Sequence, residues 1–180
     1  MLLISNNVQR YMQIPEDAVV RVNMAWVPTI ALLESIISAN RERVVFLDFP
    51  EGRNKPPKPI LTLEDAYVMC KKYTNIKYFA VSNVENISKV VKIQANLPPG
   101  IEFVPKIETL KGIKNFGHLV YTCGIRTAML DKEDLYLDVK KDTTEFFKCV
   151  EHARRICEGL DVELLELEAV TFVGHKKEIR

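Results

Sequence analysis

Long apolar runs are missing from this sequence. No stretch approaches the ~18–20 residues that a membrane-spanning helix needs, so no membrane partner is expected. The opening MLLISNNVQRYMQ has an apolar stretch too short for a secretory signal and no cleavage pattern, which leads us to expect a cytoplasmic protein. An excess of charge of one sign is missing too. Lysine and arginine number 25 against 24 aspartates and glutamates, a formal net charge of +1. Nothing in that balance draws the chain toward nucleic acid. Metal and redox spacings are also absent. Cys70, Cys123, Cys149 and Cys157 form no CxxC, and His118, His152 and His175 form no HxH or HxxxH. A zinc site built from them is not expected. The thiols read as small apolar side chains, two of them on helix faces.

What is present is an alternation. The 180 residues suit one domain, 1–180, with a substantial core, and not two. Short β-branched runs recur at 19–25, 44–49, 77–82, 102–107, 125–130 and 165–173, with LLIS at 2–5 as a seventh candidate. Runs this short and apolar suit strands of a parallel sheet covered on both faces. The segments between them carry helix starts. Thr29 precedes IALLESIISAN, and Thr62 precedes LEDAYVMCKKY with Asp65 at the capping-box position. Asn86 and Thr109 can cap the next two helices. In the last helix Phe146, Val150, Ala153, Cys157 and Leu160 repeat at helical spacing, with Gly159 as a stop. This order predicts an α/β fold of parallel βα units. The loop EGRNKPPKP (51–59) is irregular, as its prolines require.

Polar residues gather at one end of these strands: Asp48, then Ser82 and Asn83, then Lys106 and Glu108, then Asp131, Glu133 and Asp134. In parallel α/β folds the carboxyl ends of strands form the site. Lys106 and Glu108 are two apart, so a continuing strand points both to one face. There the carboxylate can ligate a hard cation and the ammonium can stabilise developing negative charge. A surface salt bridge is the plainer alternative. Pro105 between strand residues predicts an edge or a bulge. Arg21 and Asn23 share a face of the first clear strand. Arg53 and Lys55 in the proline-rich loop either bind a carboxylate or phosphate or keep the loop soluble.

The stretch FVPKIETLKGIKNFGHLVYTCGIRTAMLDKEDLYLDV (103–139) resembles two related groups. One is pyruvate kinase, with its Lys-Ile-Glu strand, helix and Gly-Asp-Leu loop. The other is the citrate lyase beta subunit and hydroxy-oxoacid aldolase family, with an Ile-Glu-Thr strand before a Glu-Asp-Leu loop. Further segments from residue 19 onward resemble pyruvate kinase in order. The resemblance implies a phosphoenolpyruvate/pyruvate barrel of the TIM-barrel-like, pyruvate kinase-like kind, incomplete at about six or seven parallel strands. It implies Glu108 and Asp134 as ligands of Mg²⁺ or Mn²⁺ and Lys106 as the catalytic cation. It also implies substrate contacts from Arg21, Arg53 and Ser82. Asn23 and Asp48 match monovalent-cation ligands, while Ala25 and Phe49 replace the serine and threonine of that set.

The function so implied is a metal-dependent lyase or aldolase acting through an enolate on a pyruvate-like or 2-oxo-acid substrate. The partner would be a 2-oxo acid or a phosphoenolpyruvate-like ligand. The alternative is a ligand-binding or regulatory module without turnover. A short barrel leaves sheet edges to cover, so a homo-oligomer is expected. A shared metal further requires the Glu108 and Asp134 carboxylates to approach within roughly 3–5 Å.

Overall fold

The computed structural model describes residues 1–7, 15–52 and 56–167. Seven strands alternate with helices. The strands are β1 (Leu3–Ser5), β2 (Val19–Asn23), β3 (Val45–Phe49), β4 (Ile76–Val81), β5 (Glu102–Ile107), β6 (Thr127–Asp131) and β7 (Glu163–Leu167). The helices are α1 (Ile30–Ala39), α2 (Leu63–Lys72), α3 (Ile87–Gln94), α4 (Leu110–Cys123), α5 (Lys132–Asp138) and α6 (Thr143–Gly159), with a 3₁₀ turn at Met24–Trp26.

The helices begin where side chains can satisfy their free N–H groups. Thr29, Asn86 and Thr109 each accept from the third residue beyond them. Thr62 and Asp65 form a reciprocal capping box. Helix α4 ends at Gly124, whose φ of 62° suits glycine at a C-terminal stop. Two elements differ from the sequence expectation. The acidic run after β6 forms the short helix α5, capped by Asp131. The last strand starts at Glu163, two residues earlier than expected; positions 168–173 of that expectation lie outside the described residues.

All adjacent strands pair parallel, in the order β1-β2-β3-β4-β5-β6-β7. A sheet that never reverses its order keeps its helices on one side and curls. Two apolar clusters show this. The larger lies between strands and helices and includes Val22, Leu47, Phe79, Leu33, Met69 and Phe116. The smaller joins Leu3, Val19, Phe46, Tyr78, Ala80, Val104, Met129 and Leu165. Each of the seven strands contributes to it, so it fills the concave side of an incomplete barrel. No ladder joins β1 to β7 among the described residues, although the Met1 ammonium pairs with Glu163 of β7.

Pro105 departs from its expectation. It lies in an interior strand, opposite Val81, and the register shift of the sheet falls instead at Val45/Phe46. Strand β5 pairs with β4 over Glu102–Pro105 and with β6 only at Lys106 and Ile107. The missing N–H of proline is thus accommodated by a shortened ladder to β6. Of the four thiols, Cys70, Cys149 and Cys157 are buried and Cys123 is half-buried. Burial pushes Cys70 up to about 12 and Cys157 to about 11, out of the reactive range. No described helix is long and apolar enough to cross a membrane.

Candidate metal centre

Period-2 alternation builds the site. Val19, Phe46, Ala80, Val104 and Met129 point into the barrel. Two residues further along the same strands come Arg21, Asp48, Ser82, Lys106 and Asp131. The apolar floor is therefore followed by a polar layer at the carboxyl ends of the strands. Asp48, Ser82, Lys106 and Asp131 are all buried. Glu108, two residues beyond Lys106, is buried as well.

Lys106 is the hub of this layer. Its ammonium donates to Ser82 Oγ at 2.9 Å and lies 3.0 Å from Glu108 Oε1 and 3.5 Å from Asp48 Oδ1. Arg21 holds the other side of Asp48, with Nε 2.9 Å from Oδ2. Ser82 Oγ donates to Glu108 Oε1 at 3.2 Å, and the Asn83 amide donates to Oε2 at 2.8 Å. Burial opposes charge on all three ionisable groups at the centre. For Asp48 it is outweighed by Lys106 and Arg21, and the carboxyl stays below its ordinary range. For Lys106 burial is outweighed by Asp48 and Glu108, so the ammonium is held charged. For Glu108 burial prevails, aided by Asp131 and opposed by Lys106, and the carboxyl is pushed up.

Glu108, Asp131 and Asp134 each present a carboxylate oxygen, and the three lie within 4.8 Å of one another. Asp131 ends β6 and caps α5 by accepting from the Asp134 amide at 3.3 Å. One short turn thus delivers two of the three acids. The donor set fits Mg²⁺ or Mn²⁺, which take carboxylate oxygen. Ligand oxygens on an octahedral ion at ~2.0–2.1 Å lie up to about 4.2 Å apart, so only a small adjustment closes the triad. A cleft of ≈ 320 Å³ opens over these groups, lined by Lys106, Glu108, Asp134, Ser82, Asn83 and Leu137 among others.

The residues singled out from sequence fall as follows. Lys106, Glu108, Asp134 and Ser82 meet at the cleft. Arg21 does not line it; its guanidinium is directed at Asp48. Asn23 Oδ1 accepts from the Ala25 amide and starts the 3₁₀ turn. Arg53 lies outside the described residues. Asp131 was visible as a polar strand end but was not singled out as a ligand. Its in-phase position with Met129, two residues earlier, is the signal that selects it. Asn83 acts through its backbone, which no side-chain pattern reveals.

No family model matches the sequence, and no curated protein matches it. Solved structures do match. A HpcH/Hpal aldolase/citrate lyase family protein from Burkholderia cenocepacia J2315 aligns with a TM-score of 0.61 at 8% identity, over 82% of this chain and 70% of that one. Macrophomate synthase aligns at 0.62 and 12% identity, over 83% and 62%. The citrate lyase beta subunit of M. tuberculosis, complexed with oxaloacetate and magnesium, aligns at 0.63 and 11% identity, over 92% and 76%. The present chain spans about two thirds to three quarters of the length of these structures.

Proposed function

Starting from the phosphoenolpyruvate/pyruvate-barrel fold that this chain shares with those structures, we propose that it is a metal-dependent lyase or aldolase. Its substrate would be a pyruvate-like or 2-oxo acid. One observation carries the reading: three carboxylates converge within 4.8 Å at the barrel mouth, beside a buried lysine. That one similar structure holds oxaloacetate and magnesium supports it.

Glu108, Asp131 and Asp134 would hold Mg²⁺ or Mn²⁺, which supplies a Lewis acid for the 2-oxo and carboxylate oxygens of the substrate. Lys106, itself buried, places a second positive charge beside the buried Glu108. There it stabilises negative charge developing on the 2-oxo oxygen more strongly than in solvent. Ser82 bridges Lys106 and Glu108 and keeps both side chains in register. Its hydroxyl lines the cleft, where a substrate oxygen would meet it. Arg21 holds Asp48, and Asp48 in turn balances the Lys106 ammonium. Arg53 is the candidate clamp for the substrate carboxylate.

The second reading, a binding module without turnover, has its own support. No histidine is among the described residues lining the cleft. One experiment separates the two. Mn²⁺ affinity is measured by electron paramagnetic resonance, and cleavage or condensation is followed with pyruvate, oxaloacetate and a panel of aldehydes. Metal-dependent turnover lost in Lys106→Met supports the enzyme. Metal and 2-oxo-acid binding without turnover supports the module. Absence of metal binding in the wild-type chain contradicts both.

A further inference from the structure

Lys89, on the first turn of α3, lies outside the polar layer. Its ammonium nevertheless meets two backbone carbonyls and a carboxylate. It donates to the Ser82 carbonyl at 2.8 Å and the Asn83 carbonyl at 2.9 Å, and pairs with Glu51 Oε2 at 2.5 Å. A trans peptide points its C=O and its N–H in opposite directions. With the Ser82 carbonyl drawn to Lys89, the Asn83 N–H must face the other way, and there it meets Glu108 Oε2 at 2.8 Å. The next peptide obeys the same rule. The Asn83 carbonyl faces Lys89, and the Val84 N–H reaches the Lys106 carbonyl at 3.2 Å. One ammonium therefore orients two peptide planes, and both deliver their N–H groups to the strand that carries the site.

The turn needs such a hold. Asn83 has φ of 55°, a left-handed conformation uncommon for a residue with a side chain. Its side chain is pinned as well, with Nδ2 donating to the Glu51 carbonyl at 2.8 Å. A Cβ on Gly52 would come within 3.2 Å of that Nδ2, so glycine leaves room for the contact. The loops after β3 and β4 are thereby latched together, with Lys89 and Asn83 as the two bolts.

We propose that Lys89 is a positioning residue that aims the Glu108 carboxylate for the metal through the Asn83 peptide. The proposal rests on the reading of Glu108 as a ligand. The test compares Lys89→Met, which keeps the stem and removes the donors, with Lys89→Arg, which restores them. Three quantities are read: Mn²⁺ affinity by electron paramagnetic resonance, hydrogen exchange of the Asn83 amide by NMR, and Tm. In Lys89→Met we expect Mn²⁺ affinity to fall roughly 10–100-fold, as for other partners of metal ligands. Exchange at Asn83 should quicken at least ~10-fold while Tm changes by only a few degrees. Lys89→Arg should recover most of both losses. Mn²⁺ affinity within threefold of wild type in Lys89→Met, or unchanged exchange at Asn83, overturns the proposal. Should Lys89→Met fail to fold, Lys89→Gln is read by the same criteria. Failure of the wild-type chain to bind Mn²⁺ is a different result: it removes the metal reading, and unchanged exchange at Asn83 would then remove the latch as well.

Discussion

Replacing Asp48 with asparagine tests the charge layer beneath the cleft. The carboxylate is fully buried, accepts from Arg21 Nε at 2.9 Å and lies 3.5 Å from the Lys106 ammonium. Asp48→Asn keeps the shape and removes the charge. Lys106, only 3% exposed, then loses Asp48 and keeps Glu108 as an ion-pair partner, and Arg21 loses its carboxylate. Breaking a buried ion pair from one side costs roughly 3–5 kcal/mol, because the remaining charge stays out of water. That is a large part of the ~5–15 kcal/mol that stabilises a typical domain. At 2–4 °C per kcal/mol for this chain length, Tm should fall by roughly 6–20 °C. Urea unfolding followed by circular dichroism gives the free energy directly. The double variant Asp48→Asn/Lys106→Met should be less destabilised than the sum of the two single changes, since it also removes the stranded cation. A loss below about 1 kcal/mol in Asp48→Asn, or strict additivity in the double variant, would refute the reasoning.

Two further outcomes concern stability away from the cleft. Glu166 accepts from Arg154 at 2.6 and 2.7 Å and from Lys132 at 2.9 Å, which holds its carboxyl at about 2 despite partial burial. A depressed carboxyl stabilises the fold above its unfolded value and loses that effect as pH falls toward the folded one. Glu166→Gln should therefore cost about 1 kcal/mol at neutral pH, allowing for solvent screening, and the difference should fade between pH ~4.5 and ~2. A gap between the unfolding curves that persists at low pH would count against the ion pairs. Gly112, in the first turn of α4, has no room for a side chain: a Cβ would sit 3.0 Å from the Val84 carbonyl and 3.3 Å from Ile107 Cγ2. Gly112→Ala should lower stability by roughly 1–3 kcal/mol despite the better helix propensity of alanine. A neutral or stabilising effect in urea unfolding would contradict that packing.

Much of the fold is written locally. Thr29, Thr62 with Asp65, Asn86 and Thr109 are legible as helix starts because each contact spans only three residues. The strands are legible because β-branched runs between capped helices leave few other readings. The site is legible in part. Lys106 and Glu108 share a strand, so alternation alone puts them on one face. The link from Arg21 through Asp48 to Lys106 joins strands β2, β3 and β5, and depends on curvature and register that no local pattern states. Lys89 was hidden for another reason. It acts on carbonyls, and a lysine on the first turn of a helix looks like any solvated charge until the backbone around Asn83 is seen. Asp131 lay between: its strand phase marked it, and the neighbouring acids Glu133 and Asp134 concealed it.

The central claim is that Glu108, Asp131 and Asp134 form one divalent-cation site. Titration of Mn²⁺ by electron paramagnetic resonance tests it most directly, on the wild-type chain, Glu108→Gln, Asp131→Asn, Asp134→Asn and the exposed control Glu42→Gln. The account predicts one ion per chain, affinity reduced at least ~10-fold in each of the three site variants, and none of that loss in the control. Absence of binding in the wild type, or equal binding in all five proteins, would contradict it.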